Sequence, residues 1–469
     1  MASSTSIPKF GTDGVRGRAG DELTAIAAEA LGRAAAEFLP GSRFVIGSDT
    51  RESGPWLQAA LSRGLRSAGS EPADLGVVPT PAVAWVAARQ SVPAAMISAS
   101  HNPYHDNGIK LFAAGGLKLR DDLEARIQSR YVEVALELAA EGGHAGEPST
   151  PSESTESTES TDSELRLDRE VSPEVDGWAD AVVASVDDQA LAGLSIVVDC
   201  ANGAAHSVAP EIFRRLGAEV TAIGVSPDGT NINDGVGSTA PRTLADAVVK
   251  AGADAGLAFD GDADRLIAVD GAGRVIDGDR VLGLLATDWA ANGRLRDNTV
   301  VVTVMTNLGF HRSMAETGIK VMTTAVGDRY VLAALDDHHL SLGGEQSGHV
   351  ICRDLATTGD GVLAGVQLLD VVARRDEPLA ELAEQIMTTV PQLLRNVTLA
   401  ARNPDAATVL APHVGAVEER FGDDGRVVVR PSGTEPLLRV MVEHIDQATA
   451  EAACAELVEH AIRLLGQRP

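Results

Sequence analysis

The 469-residue sequence predicts an α/β protein with three related mixed-sheet α/β domains and a smaller C-terminal α+β domain. Two observations lead to this prediction. An apolar strand, a short polar loop and an amphipathic helix recur three times, and each helix leads to another strand-like run. The C-terminal part follows a different order, with a strand, a helix, two strands and a last helix. Parallel or mixed sheets covered by helices are therefore expected for the first three domains.

The recurring unit is a strand, a helix and a second strand. Its copies are expected at 44–49, 56–68 and 73–78, at 195–200, 208–216 and 219–223, and at 299–305, 310–317 and 320–324. In the C-terminal part, strands are expected at 393–399, 426–430 and 437–444, and helices at 406–421 and 448–465.

The domains are expected at 1–144, 165–270, 271–382 and 383–469, with residues 145–164 between the first two. This intervening segment is a Ser/Thr/Glu-rich repeat, and no Lys or Arg occurs between Tyr131 and Leu165. Such a segment cannot bury enough apolar surface to offset the entropy of ordering the chain. It is therefore predicted to be a disordered linker.

The charge balance restricts the possible partners. Lys plus Arg number 39 and Asp plus Glu number 67, so the net charge is -28. Such a field repels nucleic acid and anionic membranes, and neither is expected as a partner. It also repels anionic metabolites, so any phosphate site must be built from local cations. Aromatic residues make up only 3%, which argues against stacking platforms for bases or sugars.

The cysteines indicate a reducing compartment. Cys200, Cys352 and Cys454 are odd in number, far apart and without C-x-x-C spacing, which argues against a disulfide framework or a zinc site. The first residues have neither a basic nor an apolar leader region, and no apolar run reaches membrane-spanning length. A cytoplasmic protein is expected.

A serine follows the strand-like run 92–97. The segment Ser98-Ala-Ser-His-Asn-Pro103 places the Ser100 hydroxyl at the end of this strand, with His101 beside it and Lys110 shortly after. Open α/β sheets carry their chemistry at the carboxyl ends of strands. A serine hydroxyl there can act as a nucleophile or carry a phosphoryl group.

Three carboxylates follow the apolar strand 255–259. Asp260, Asp262 and Asp264 alternate with small residues, so they can converge on one hard cation such as Mg²⁺, Mn²⁺ or Ca²⁺. An EF-hand is excluded, because its sixth position would be Arg265 instead of Gly and its twelfth Gly271 instead of Glu. Arg265 offers a bidentate partner for phosphate beside the cation.

Two later loops suit a phosphorylated sugar. The loop Gly343-Gly-Glu-Gln-Ser-Gly-His349 supplies hydrogen-bond donors and acceptors between glycines, as hydroxyl recognition requires. The loop Arg430-Pro-Ser-Gly-Thr-Glu-Pro436 lies between two predicted strands. It combines a guanidinium, hydroxyls and free backbone N–H groups, which together can cradle a phosphate.

The four motifs, taken in this order, resemble the α-D-phosphohexomutase superfamily. The opening Phe10-Gly-Thr-Asp-Gly-Val-Arg-Gly17 is similar as well, and the resemblance covers nearly the whole chain apart from the Ser/Thr/Glu-rich segment. One departure is Ala263, where the family often has Gly. The methyl group there is expected to be tolerated if the φ angle of Ala263 is negative.

Within the superfamily, the chain is most similar to bacterial members that interconvert glucosamine 6-phosphate and glucosamine 1-phosphate, a step that feeds amino-sugar nucleotide and cell-wall synthesis. The residues that carry this narrower resemblance are Gly11-Thr-Asp-Gly14, Thr306-Asn-Leu-Gly309, Val326-Gly-Asp-Arg-Tyr330 and Gln346. The partners it implies are small sugar phosphates, and it leaves both a monomer and a homodimer open.

The resemblance implies four domains around a central cleft, with one motif in each. It implies a covalent phosphate on Ser100. One Mg²⁺ ion would be held by Asp260, Asp262, Asp264 and an oxygen of phosphorylated Ser100. The phosphoryl group passes to the sugar phosphate and gives a 1,6-bisphosphate, which turns around and returns its other phosphate to Ser100.

The other roles are implied in the same way. His101 and Lys110 would be acid/base helpers, and Arg16 and Arg265 would stabilise charge. Sugar hydroxyls would be held by Glu345, Ser347 and His349. The phosphate that does not react would be held by Arg430, Ser432, Gly433, Thr434 and Arg439.

Three alternatives stay open. A phosphoglucomutase or phosphomannomutase of the same superfamily would use the same motifs. A Mg²⁺-dependent phosphatase with Asp260 as nucleophile would need Thr or Val at the fifth motif position, where this chain has Asp264. A non-catalytic anion-binding module would leave the Ser100 loop unexplained.

Excision of residues 148–162 is expected to leave catalysis nearly intact, because this segment has no apolar anchor and its charge has the wrong sign for a phosphate site. The test is kcat/KM of the excised protein, with its folding verified by circular dichroism. A large loss of kcat/KM in a folded protein would mean that the segment takes part in catalysis.

Overall fold

The computed structural model describes residues 7–11, 14–141, 171–432 and 436–466. The predicted linker at 145–164 lies outside these ranges, as do Gly433 and Thr434 of the phosphate loop. Within them, the chain forms three mixed α/β units and a smaller α+β unit, which confirms the predicted fold class. Among the described residues, no helix has the length and apolar character needed to span a bilayer.

The first sheet is mixed and lies between helices on both faces. Its strands are β1 (Phe10–Gly11), β2 (Gly14–Arg18), β3 (Arg43–Ser48), β4 (Glu71–Val77), β5 (Ala94–Ile97), β6 (Asp106–Ala113) and β7 (Leu117–Lys118). The helices are α1 (Ala25–Phe38), α2 (Gly54–Ser67), α3 (Thr80–Gln90) and α4 (Asp121–Ala140). The order is β1-β2-β6-β5-β3-β4, with β7 beside β6. β3 is parallel to β4 and β5, whereas β6 is antiparallel to β2 and β5. α1, α2 and α4 cover one face and α3 the other.

Helices α1 and α2 pack backbone against backbone. A Cβ atom on Gly64 would lie 1.9 Å from the carbonyl oxygen of Glu29, and one on Gly32 would lie 2.3 Å from that of Leu61. Any larger side chain at either position would force the helices apart. This packing fixes how closely α1 and α2 approach each other.

The second sheet has the order β12-β11-β10-β8-β9. Its strands are β8 (Ser195–Asp199), β9 (Glu219–Ile223), β10 (Ala255–Phe259), β11 (Leu266–Asp270) and β12 (Val275–Ile276), and its helices are α5 (Asp176–Val183), α6 (Ala209–Arg215) and α7 (Pro241–Ala251). β8 is parallel to β9 and β10, and β11 is antiparallel to β10 and β12. The second sheet therefore extends to residue 276.

The third sheet has the order β14-β13-β15-β16. Its strands are β13 (Thr299–Thr303), β14 (Lys320–Thr324), β15 (Leu342–Gly344) and β16 (Val350–Cys352). The helices of this part are α8 (Gly278–Ala291), α9 (Leu308–Glu316), α10 (Asp328–Asp337), α11 (Gly361–Arg375) and α12 (Leu379–Ile386). β13 is parallel to β14 and β15, and β16 is antiparallel to β15.

The fourth sheet is antiparallel, with the order β17-β19-β18. Its strands are β17 (Gln392–Thr398), β18 (Gly425–Pro431) and β19 (Leu437–His444), and the helices α13 (Ala406–Phe421) and α14 (Gln447–Leu465) pack with it around a separate apolar core.

One apolar cluster joins the first three domains. It contains Val83 of α3, Phe213 of α6 and Leu369 of α11, with sheet residues between them. Trp178 of α5 belongs to the same cluster, and its indole N–H donates to Asp360 at the start of α11 over 2.9 Å. The three domains therefore share their interior and are not separate globules.

Candidate active site

Four loops of the predicted site each follow the carboxyl end of a strand. Ser100 comes after β5, Asp260 after β10, Glu345 after β15 and Ser432 after β18. The first two loops are in direct contact: the Ser100 hydroxyl donates to Asp260 Oδ2 over 2.5 Å. The structure thus brings side chains from different sheets to one site, as expected for strand ends of α/β proteins.

Ser100 is nearly inaccessible and has an unusual backbone. It is 1% exposed, and its φ of +54° lies in the left-handed region. Its Oγ lies 3.2 Å from His101 Nδ1 in addition to the bond with Asp260. The turn therefore aims the hydroxyl away from its own strand and toward the loop of the second domain.

The three predicted carboxylates form a compact buried cluster. One oxygen from each of Asp260, Asp262 and Asp264 lies within 4.8 Å of the others. The Oδ1 atoms of Asp262 and Asp264 are buried, yet neither accepts a hydrogen bond from any residue that the structure describes. A buried carboxylate oxygen without a hydrogen-bond donor is costly, and a hard cation, which prefers oxygen ligands, would satisfy it. The residues therefore fit a Mg²⁺ ion.

The cluster is only partly neutralised by protein cations. Lys110, which is 4% exposed, donates from Nζ to Asp262 Oδ2 at 2.8 Å and to Asp264 Oδ2 at 3.0 Å. Burial opposes ionisation of Asp264, but Lys110 and the other nearby cations hold the pKa of its carboxyl well below the usual range. Burial and the two neighbouring carboxylates raise the pKa of Asp260 to about 8. The raised pKa of Asp260 reflects the cost of a third negative charge in this buried cluster, and a bound cation would offset this cost.

Thr80 supports the cluster, although sequence reasoning missed it. Its hydroxyl donates to Asp262 Oδ2 over 2.6 Å, and its backbone N–H donates to the Asp262 carbonyl over 2.9 Å. The one available signal was its position in Pro79-Thr-Pro81, shortly after β4. Thr80 therefore holds the carboxylate loop of the second domain at two points.

Ala263 does not have the negative φ on which its tolerance was predicted to depend. The φ angle is +56°, and the methyl group is fully buried. For any residue other than Gly, this conformation costs about 1 kcal/mol or more. Backbone bonds on both sides retain it: Ala263 N–H donates to the Asp260 carbonyl and Gly361 N–H to the Ala263 carbonyl, each over 3.0 Å. The turn explains why a glycine would suit this position.

His101 is uncharged at neutral pH. Burial, together with the charges of Arg265 and Arg16, lowers the pKa of its imidazole to about 4. Arg16 lies on β2 opposite Gly108, and Arg265 follows the carboxylate cluster. A neutral ring next to the Ser100 hydroxyl can accept a proton on its unprotonated nitrogen, but it cannot act as an acid before it has done so.

The three predicted residues of the sugar loop differ from one another in burial and in contacts. Glu345 is half-buried and accepts from the backbone N–H of Gly327 over 3.1 Å, and Ser347 is exposed. His349 is 2% exposed, with Nδ1 at 3.6 Å from Asp264 and Nε2 at 3.5 Å from Asp328. Burial opposes protonation of His349, but these two carboxylates raise the pKa of its imidazole. His349 therefore borders the carboxylate cluster as well as the sugar loop.

The phosphate loop contains a pair of arginines. Arg430 of β18 and Arg439 of β19 occupy directly paired positions. Burial and the charge of Arg439 lower the pKa of Arg430, while Glu345 acts in the opposite sense. Like charges at paired positions destabilise a sheet, and both Nε atoms are buried without a hydrogen-bond acceptor among the described residues. An anion between the two guanidinium groups would remove both costs. Ser432 is buried beside them.

Comparisons with known proteins agree with this site. Models of the phosphoglucomutase/phosphomannomutase family match in four parts, with α/β/α domains I, II and III at 8–137, 176–273 and 277–390, and the C-terminal domain at 376–460. The X-ray structure of a phosphoglucomutase/phosphomannomutase family protein from Burkholderia thailandensis is similar, with a TM-score of 0.74 and 25% identity over 96% of each chain.

Curated relatives match over almost the whole chain. A protein from Leifsonia xyli subsp. xyli named phosphoglucosamine mutase is 47% identical over 466 residues, which cover 96% of this chain and 97% of the relative. A protein of the same name from Rhodococcus opacus is 48% identical over 456 residues, which cover 96% of this chain and 98% of the relative. The chain therefore belongs to the phosphoglucomutase/phosphomannomutase family, and within it to the group of bacterial phosphoglucosamine mutases, which confirms the family that its motifs predicted.

Proposed function

We propose that this chain is an intramolecular phosphotransferase that interconverts glucosamine 6-phosphate and glucosamine 1-phosphate. The observation that carries the proposal is the buried Ser100 hydroxyl, which bonds to a carboxylate of the cation-binding cluster across a domain boundary. The relatives named phosphoglucosamine mutase, at 47% and 48% identity, support the substrate.

In this proposal, Ser100 carries a phosphoryl group in the resting enzyme. A hydroxyl of the sugar phosphate attacks the phosphorus atom, and the bond to the sugar oxygen forms while the bond to Ser100 Oγ breaks. The proton of the hydroxyl passes to a base. The resulting 1,6-bisphosphate turns around, and its other phosphoryl group returns to Ser100 as the sugar oxygen regains a proton. The enzyme ends in its initial state.

The acid/base and charge-stabilising roles go to the residues around Ser100. His101 is neutral and lies at 3.2 Å from Ser100 Oγ, so its ring can accept a proton there. Lys110 is in contact with the carboxylate cluster and can supply positive charge or a proton. Arg16 and Arg265 add positive charge around the transferring group.

Asp260, Asp262 and Asp264, with an oxygen of phosphorylated Ser100, would hold a Mg²⁺ ion. When bound, this ion acts as a Lewis acid that spreads the negative charge of the transferring group. The chain's own contribution is to orient the ligands, because Thr80 and Lys110 both bond to Asp262.

The distal phosphate would be held by Arg430, Arg439, Ser432, Gly433 and Thr434. The paired guanidinium groups support this assignment, since they lack an acceptor among the described residues at their Nε atoms. Glu345 and Ser347 would bind sugar hydroxyls. His349 is proposed for the same hydroxyls, although its ring nitrogens face Asp264 and Asp328.

We expect a kcat/KM for glucosamine 1-phosphate that is roughly 10-fold or more above those for glucose 1-phosphate and mannose 1-phosphate. A 2-ammonium group is cationic and is favoured by the acidic chain, whose net charge is -28. The measurement is kcat/KM on all three sugar phosphates under the same conditions.

The control for this comparison is the Ser100→Ala variant, which must be inactive on all three substrates if no contaminating mutase is present. A preference for glucose 1-phosphate or mannose 1-phosphate would make the chain a hexose-phosphate mutase. It would leave the phosphoserine mechanism unchanged.

A further inference from the structure

We propose that Arg51 is a positioning residue that, with Asp49 and Ser98, holds Ser100 in the orientation required for phosphoryl transfer. Arg51 is fully buried in the loop between β3 and α2, behind the Ser100 turn. The inference rests on the proposed role of Ser100 as the phosphoryl carrier.

The guanidinium group of Arg51 uses all of its five N–H donors. Nε donates to Asp49 Oδ2 over 2.8 Å. The other four donate to backbone carbonyl oxygens of a single turn. Their acceptors are Ser100 at 3.0 Å, Asn102 at 2.8 Å, Asp106 at 2.9 Å, and Pro103. One rigid, planar side chain thus sets the direction of four carbonyl groups around Ser100.

The backbone N–H of Ser100 is held by the same group of residues. It donates to Ser98 Oγ over 2.9 Å, and Ser98 Oγ in turn donates to Asp49 Oδ2 over 2.6 Å. Asp49 therefore accepts from both Arg51 and Ser98. Both the N–H and the carbonyl of Ser100 are fixed through this one carboxylate.

These hydrogen bonds to the Ser100 N–H and carbonyl explain how Ser100 keeps its left-handed backbone conformation. A φ of +54° is unfavourable for serine and persists only where the surroundings over-determine it. If the turn relaxed to a negative φ, the Cα–Cβ bond would swing away and Oγ would leave Asp260. The contacts of Arg51 and Ser98 therefore determine where the phosphoryl carrier points.

Arg51 acts through Ser100 and does not bind the phosphate itself. No N–H of its guanidinium is left to donate, and the side chain is 0% exposed. A buried ion pair is by itself weak evidence for a stabilising role. The four carbonyl bonds instead indicate that this cation is retained to shape the turn.

The second domain uses the carbonyls that Arg51 aligns. Asn233 Nδ2 donates to the carbonyl of Ser100 over 2.9 Å and to that of Asn102 over 3.2 Å. The orientation of the turn thus also sets how the second domain, with its carboxylate cluster, meets Ser100.

The test uses Arg51→Lys and Ser98→Ala, each with a matched control in the same domain. Lysine keeps the charge but cannot direct four carbonyls, and alanine removes the hydroxyl that links the Ser100 N–H to Asp49. The controls are Arg130→Lys, whose guanidinium bonds Glu37 on the surface, and Ser70→Ala, whose buried hydroxyl bonds the Gly41 carbonyl. Each protein is labelled on Ser100 with ³²P from glucosamine 1,6-bisphosphate. The first-order rate of transfer to glucosamine 1-phosphate is then measured.

This rate constant counts only folded, labelled molecules, so a purely structural defect does not change it. We expect Arg51→Lys and Ser98→Ala to lower it about 10- to 100-fold, with KM within about threefold of wild type and both controls unchanged. If Arg51→Lys does not fold, the transfer rate constant of Ser98→Ala alone tests the positioning role.

Wild-type transfer rates in both folded variants, or in Ser98→Ala alone if Arg51→Lys does not fold, would overturn the positioning role while leaving the proposed function in place. A wild-type protein that takes no label on Ser100 would overturn the proposed function, and this inference with it.

Discussion

The variant Ser100→Ala is expected to lose at least roughly 10³-fold in mutase turnover while keeping its fold. The substitution removes the one atom that can carry the phosphoryl group between the two ends of the sugar. No other hydroxyl in the Ser100 turn bonds the carboxylate cluster among the described residues, so none can replace it. The measurements are turnover with glucosamine 1-phosphate, the melting temperature, and ³²P incorporation from the bisphosphate.

Ser70→Ala serves as the control for Ser100→Ala, because it also removes a buried hydroxyl of the first domain and lies outside the site. It should retain wild-type turnover. If Ser100→Ala kept more than a small fraction of activity in a preparation free of host mutase, Ser100 could not be the carrier.

The second large effect is expected for Asp262→Asn, which should lower Mg²⁺-dependent turnover by at least about 100-fold without unfolding the protein. The change removes one of three ligand charges, and the amide oxygen can still accept from Thr80, whose hydroxyl lies 2.6 Å from Asp262 Oδ2. The measurements are turnover as a function of Mg²⁺ concentration and the melting temperature.

Asp246→Asn provides the charge control, because Asp246 is exposed on α7 of the same domain and is not one of the three clustered carboxylates. It should leave the Mg²⁺ dependence unchanged. Full activity of the wild-type protein in excess EDTA would be incompatible with any metal role for the cluster.

Local patterns in the sequence predicted most of the fold. The strand at 255–259 and the helix at 406–421 have the predicted bounds, because apolar runs and helical spacing are signals carried by neighbouring residues. The carboxylates at 260, 262 and 264 converge as predicted, since their short spacing in a tight turn leaves little freedom.

Contacts between distant segments could not be predicted in this way. Arg51 bonds a turn that begins 49 residues later, and Thr80 bonds Asp262, which lies 182 residues away. Arg51 has no local pattern that distinguishes it from an ordinary loop residue, and the Pro79-Thr-Pro81 context of Thr80 does not indicate its partner. The pairing of Arg430 with Arg439 depends on the register of β18 and β19, which the motif alone does not state. The alanine side chain at 263 gives no indication in the sequence that this residue has a positive φ angle.

The shared interior of the first three domains also has a consequence for biosynthesis. A nascent chain that has reached residue 141 still exposes the face of α3 that α5 later covers, where Trp85 packs on Gly177. α5 in turn places Trp178 against Asp360, which is synthesised much later. The apolar core that these domains share is therefore completed only after α11 has left the ribosome, although the first domain has a second core of its own.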